Sequence, residues 1–315
     1  MPSVGKGISE GELVMTTTTR KPNGPKKPAL TPPLKWHGGK HYLAPEIIKL
    51  MPPRCKNPNK PDPSDPGWLH YVEPYFGGGA VLLANDPEGI SEVANDLYSE
   101  LTSFWRVLRC PVQWPRFNQL VEATAFGHEA YEAASAILEQ EKHNDSRDEG
   151  EYAWAFFVLC RQSLSGRMKG FAGITRNRTR RGMNEQVSAL LNCIEGLPAV
   201  HERLKRVLIL NKPAIEVIKK EDGDRSLFYC DPPYLHETRS ATGEYAHEMT
   251  VEQHQQLLEA LDGIKGKFLL SGYRSGLYDE WAFKNKWNRY DFDLPNNAAS
   301  GKSKQRKTEC VWMNY

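Results

Sequence analysis

Apolar residues recur along the chain in two periods, short runs of strand length and longer stretches at helical spacing, and the two alternate. Tyr71-Val72 is a β-type run, Ile90–Asp96 (ISEVAND) and Ser226–Cys230 (SLFYC) read as strands, and further strands are expected near Leu208, Phe268, Tyr290 and Val311. Helical character covers Leu43–Met51, Ala80–Ala84 and Leu97–Leu108. Strands alternating with helices predict an α/β fold whose mostly parallel sheet is covered on both faces. The interval from Cys110 to Arg225 is too long for one connection inside such a sheet. Within it, Gln113–Gln140, Glu151–Leu164 and Val187–Leu197 carry apolar residues at helical spacing, for example Ala153, Phe156, Phe157 and Cys160. A separate, mostly helical module over residues 111–205 is therefore expected, dividing the sheet domain into 34–110 and 206–315. Inside that module the glycines of Leu164–Asn184 predict a hairpin or extended loop. Residues 1–33, rich in Pro, Gly, Thr and Lys, read as a disordered tail, and the Pro-dense Pro52–Gly67 as a surface loop.

The candidate chemistry sits where predicted strands end. After Tyr71-Val72 come Glu73, then Tyr75-Phe76, then the turn Gly77-Gly78-Gly79 and a helix. Strand, glycine turn and helix in that order form the first unit of a nucleotide-type fold, in which glycines let a ligand approach the backbone. A phosphate-cradling loop is not indicated, because no Lys-Ser or Lys-Thr follows the glycines. The second strand ends in Asn95-Asp96, where dinucleotide folds bind ribose hydroxyls; an Asp just before a helix also serves as an N-cap.

The strand Ser226–Cys230 runs into Asp231-Pro232-Pro233-Tyr234. An exocyclic amino group on a nucleobase has its lone pair delocalised into the ring and attacks a methyl donor only when bent out of conjugation. Asp231 can accept one amino hydrogen and the carbonyl of Pro232, aimed by two prolines of fixed φ, the other. Tyr234 offers a flat face for the base. The plain structural account of the same residues is a Pro-Pro turn closing a buried strand.

Upstream lies Leu34-Lys35-Trp36-His37-Gly38-Gly39-Lys40, directly before the first helix. A K-W-x-G-G-K element, a V-E-P-[FY]-x-G-x-G element, an N-D and a D-P-P-Y in this order resemble the adenine-specific DNA methyltransferases of the Dam type. The similarity extends to Ala246–Thr250, Leu270–Tyr273 and Lys307–Trp312, and covers residues 34 to 315. It implies a Rossmann-like, S-adenosylmethionine-dependent methyltransferase sheet with an inserted helical target-recognition domain. Under it, Trp36 and Lys40 would contact S-adenosylmethionine. Glu73 and the turn Phe76–Gly79, with Tyr75 beside them, would hold its methionine end, and Asp96 its ribose. Asp231 would lie beside both donor and amine, with Pro232, Pro233 and Tyr234 completing the catalytic set. The chain departs from the pattern at His37, where the best-known members carry a small residue, and in its GGG turn.

Charge adds a partner. From Tyr152 to Asn184 there are seven basic residues (Arg161, Arg167, Lys169, Arg176, Arg178, Arg180 and Arg181) and no acidic one, in a chain of net charge +2. Most basic runs are solvated faces. Coupled to a base-handling site, this one reads as the contact to duplex DNA, where phosphate contacts dock and Arg can pair with guanine. Lys302 and Lys304, in the stretch Lys302–Lys307, are a second candidate contact. Methylation of RNA adenine or of the cytosine amino group poses the same lone-pair problem, and a DNA-binding module without turnover is the alternative from another class.

The remaining composition excludes other classes. Six cysteines are scattered with no C-x-x-C, and no His pair has ligand spacing, so neither a disulfide framework nor a metal site is indicated. Free thiols fit a reducing, cytoplasmic compartment. No apolar run approaches a membrane span and nothing implies an obligate protein partner.

Overall fold

The computed structural model describes residues 30–57, 64–235, 248–295 and 306–315. Lys302 and Lys304 lie outside them. Seven strands form one sheet: β1 (His70–Glu73), β2 (Ser91–Asn95), β5 (Val207–Leu210), β6 (Ser226–Cys230), β7 (Lys267–Tyr273), β8 (Asn288–Pro295) and β9 (Arg306–Met313). Their spatial order is β5-β2-β1-β6-β7-β9-β8. The first five are mutually parallel, and β9 runs antiparallel between β7 and β8. Each strand expected from the pattern is present.

Period-two alternation gives the sheet two apolar faces. Tyr71, Leu227, Tyr229, Leu269 and Val311 pack on one side with α1 (Ala44–Leu50), α2 (Ala80–Ala84) and α3 (Ser99–Arg109). Val72, Val93, Phe228, Phe268, Leu270 and Trp312 pack on the other with α8 (Ala214–Glu221), α9 (Val251–Asp262) and α10 (Gly276–Asn285). The ends of the last two helices are fixed by their own side chains. Thr250 and Gln253 form a reciprocal capping box on α9, and Ser275 accepts from the Tyr278 amide on α10.

Between α3 and β5 the chain forms α4 (Trp114–Glu122), α5 (His128–Glu141), α6 (Glu149–Gln162) and α7 (Glu185–Leu204). α6 is apolar nearly all round, with Tyr152, Ala153 and Ala155–Cys160 buried, and it packs against α3, α4 and α5. Its core is continuous with that of α1–α3. The helical stretch read over Gln113–Gln140 breaks at residues 123–127. There the buried amide of Gln162 donates to the Ala125 carbonyl and accepts from the Gly127 amide, both at 3.0 Å, so a long-range side chain makes the corner. A buried, bidentate pair of 2.5 and 2.6 Å between Arg203 on α7 and Glu92 on β2 ties these helices to the sheet.

The segment 164–184 holds a short 3-10 turn (Leu164–Gly166) and a hairpin of β3 (Thr179–Arg180) with β4 (Met183–Asn184). Arg181 and Gly182 turn it with φ of 55° and 72°, the pair of positive values that a two-residue hairpin turn takes. Among the described residues no helix is long and apolar enough to cross a membrane.

Candidate active site

From β1 the chain moves to β2 and then to β5 on one side, and it returns as β6 on the other side of β1. Such a reversal opens a crevice at the carboxyl ends of the strands. Here it holds a cavity of about 310 Å³. Glu73 ends β1, Asp96 follows β2 and Asp231 follows β6, and all three line that cavity although far apart in sequence. Trp36, Lys40, the run from Tyr75 to Gly79, Pro232 and Pro233 line it too.

The glycine turn is built by its neighbours. Gly77 and Gly79 have φ of 49° and 70°, backbone that side chains rarely adopt. A Cβ on Gly78 would lie 2.8 Å from Cβ of Trp36, so the turn lets Trp36 close on it. Trp105 donates to the Gly77 carbonyl at 3.0 Å from behind. Asp96 braces the same turn: one oxygen accepts from the Gly77 amide at 2.8 Å, the other from the Tyr98 amide at 3.0 Å just before α3. It therefore joins turn to helix start.

Glu73 is only 2% exposed and accepts from the Tyr71 hydroxyl at 2.8 Å. Burial pushes its carboxyl up to about 8, with the Tyr71 bond opposing. Lys40, also buried, donates to the Gly38 carbonyl at 2.9 Å and reaches Asp231 at 3.0 Å and Glu309 at 3.6 Å. Its ammonium sits 4.8 Å from the centre of the Tyr234 ring.

Tyr234 departs from the expected stacking face. It is 4% exposed, with its ring edge-on to Tyr273 at 4.7 Å and its hydroxyl bonded to both Asp231 and Glu309. Glu309 on β9 is the residue that sequence reasoning missed. It belongs to a segment of the motif resemblance, but only the antiparallel insertion of β9 beside β7 brings it behind Asp231. Tyr98 and Pro213–Ile215 also line the cavity with no local signal in the sequence.

On the basic segment Arg167, Lys169, Arg176, Arg178, Arg180 and Arg181 are exposed. Arg178 pairs with Glu185 at 3.6 Å and Arg181 with Glu195 at 3.1 Å. Arg161 is a correction to the DNA-facing set. On the buried helix α6 its guanidinium turns inward and donates to the Ala189 carbonyl at 2.7 Å. Its own carbonyl accepts from Lys35 at 2.9 Å, and burial, aided by the Arg161 charge, lowers Lys35 to about 8.

The cavity fits a sulfonium nucleoside. Its walls include the Trp36 and Phe76 rings, the glycine turn and the two acids Glu73 and Asp96, a donor set compatible with an ammonium and with hydroxyls. Among the described residues no cluster of His, Cys, Asp or Glu could hold a metal.

A mostly parallel sheet with a glycine turn and acids along the strand ends is consistent with the α/β fold of the S-adenosylmethionine-dependent methyltransferases. The sequence profile for D12 class N6 adenine-specific DNA methyltransferases matches residues 36–292, and the chain belongs to that family. Among similar proteins, the type II methyltransferase M1.LlaDCHI of Lactococcus lactis subsp. cremoris is 26% identical over 302 residues, covering 91% of this chain and 96% of that protein. The DNA adenine methylase of Escherichia coli (strain K12) is 25% identical over 260 residues, covering 79% and 82%. That of Haemophilus influenzae is 24% identical over 252 residues, covering 76% and 79%.

Proposed function

We propose that the protein methylates the exocyclic amino group of an adenine flipped out of duplex DNA, using the sheet-edge cavity for S-adenosylmethionine and Asp231-Pro232 for the amine. The observation that carries the reading is Asp231 at the cavity margin, held by Lys40 at 3.0 Å directly after the strand that flanks the switch point.

When bound, S-adenosylmethionine supplies an electrophilic methyl group on a sulfonium. The chain's own residues do the rest. Trp36 and the glycine turn would shape the wall against which the donor lies, Glu73 would face its ammonium, and Asp96 its ribose. Asp231 would accept one hydrogen of the target amine and the Pro232 carbonyl the other, which directs the nitrogen lone pair along the line of transfer. Held in this way, the amine nitrogen would be aligned for in-line displacement of the methyl group from sulfur, with the surplus amine proton passing to solvent afterwards. Alignment of two held reactants accounts for most of the acceleration. The exposed residues Arg167, Lys169, Arg176, Arg178, Arg180 and Arg181 would dock the duplex through phosphates, and surface ion pairs such as Arg178–Glu185 exchange readily for them.

Nucleoside mass analysis of duplex DNA treated with methyl-labelled donor tests the reading. The expected product is N6-methyldeoxyadenosine alone; label in N4-methylcytosine, or in RNA and not DNA, contradicts it.

A further inference from the structure

The Tyr234 hydroxyl touches two carboxyl groups. It lies 3.1 Å from Oδ1 of Asp231, and it bonds directly to Oε1 of Glu309. A phenol has one proton to give, and ionised carboxylates can only accept. Both contacts are full two-centre hydrogen bonds, and not one proton shared between two acceptors, only if one carboxyl group brings a proton of its own.

Two observations identify which. Lys40 is the cation of this cluster, and it stands closer to Asp231 (3.0 Å) than to Glu309 (3.6 Å), so the negative charge is better held on Asp231. Asp231 also borders the cavity, whereas Glu309 is 3% exposed, and its burial raises its hold on a proton. The titratable groups around Glu309 come from three elements. They are Lys40 and Tyr42 from the segment before α1, Asp231 and Tyr234 after β6, and Tyr273, its cross-strand partner on β7. On β8 its partner is Phe292, which does not titrate.

We propose that Glu309 is a positioning residue that stays neutral in the resting enzyme, giving its carboxyl proton to the Tyr234 oxygen while Tyr234 gives its own to Oδ1 of Asp231. The chain of bonds runs one way and ends on the one ionised carboxylate, fixing its rotation and leaving the other oxygen toward the cavity for the amine. If Glu309 ionises, the Tyr234 proton turns to it and Asp231 loses that bond. Activity then falls as pH rises through the titration of Glu309. The protonation pattern stands independently of the reaction; its effect on rate rests on the adenine methyltransferase reading.

Infrared difference spectra and pH–rate profiles of wild type, Glu309→Gln and Glu309→Leu test this together. A Gln amide can donate to Tyr234 as the neutral acid does but cannot ionise. Wild type minus Glu309→Gln is expected to show the carbonyl stretch of a protonated carboxyl near neutral pH. Its absence overturns the proposal whether or not the wild type methylates DNA. Glu309→Leu is expected to lose about 100-fold in kcat through misplacement of Asp231. Glu309→Gln should recover to within about tenfold of wild type and lose the alkaline fall that wild type shows. A Gln variant that keeps the alkaline fall, or is as slow as the Leu variant, overturns the proposal, as does a fully active Leu variant. Should Glu309→Leu fail to fold, the Gln profile and the spectrum still decide.

Discussion

Glu73 is a carboxyl group that burial keeps protonated up to about pH 8, at the end of β1 on the cavity wall. Because its hold on the proton is stronger folded than unfolded, its effect on stability has a definite sign. The contribution is fully present below the ordinary value of 4.5 and is lost as pH rises toward about 8. A donor ammonium facing Glu73 favours the ionised form, so binding below about pH 8 should release a proton. Titration calorimetry in two buffers of different ionisation enthalpy checks this: wild type should differ between buffers, and Glu73→Gln should lose that part of the difference. Equal heats for wild type in both buffers would contradict it. At this scale the acids Glu73, Asp96 and Asp231 are legible in the sequence because each follows a β-type run at a strand end. Glu309 is not, since nothing local says which strand will lie beside β7. The ring of Tyr234 by itself suggests a stacking face, and the two carboxyl groups that claim its hydroxyl come from different strands.

At the scale of elements, periodicity finds every strand of the sheet and most helices, because alternation and helical spacing are local properties. It fails where the environment is uniform. α6 is buried nearly all round, so its pattern carries little direction, and Arg161 cannot be told from the exposed basic residues that follow. The break between α4 and α5 depends on Gln162, more than thirty residues further on. The glycines of 164–184 do mark a hairpin, and its exposed cations carry a quantitative expectation. Replacing Arg176 and Arg180 by Ala should weaken DNA binding similarly across sequences and lower the salt slope by about one for each phosphate left without its cation. Binding isotherms over a salt series measure it; an unchanged slope would remove the hairpin from the interface.

Over the whole molecule, function follows from the order of strands. The switch between β1 and β6 gathers three distant acids at one crevice, two apolar faces hold the sheet rigid beneath it, and the Glu92–Arg203 pair fixes the helical segment to the same sheet. The order of motifs along the chain anticipates this convergence, because parallel strands bring their carboxyl ends to one rim. The extent of the helical core, shared with α1–α3, depends on side-chain packing that the sequence pattern does not record. The measurement that bears most directly on the account is single-turnover methyl transfer by Asp231→Ala at saturating donor and DNA, with folding checked by thermal melting. Loss of the carboxylate proposed to orient the amine predicts a rate at least about 100-fold below wild type in a protein that still melts cooperatively. A folded variant transferring methyl groups within a few-fold of the wild-type rate would contradict the account.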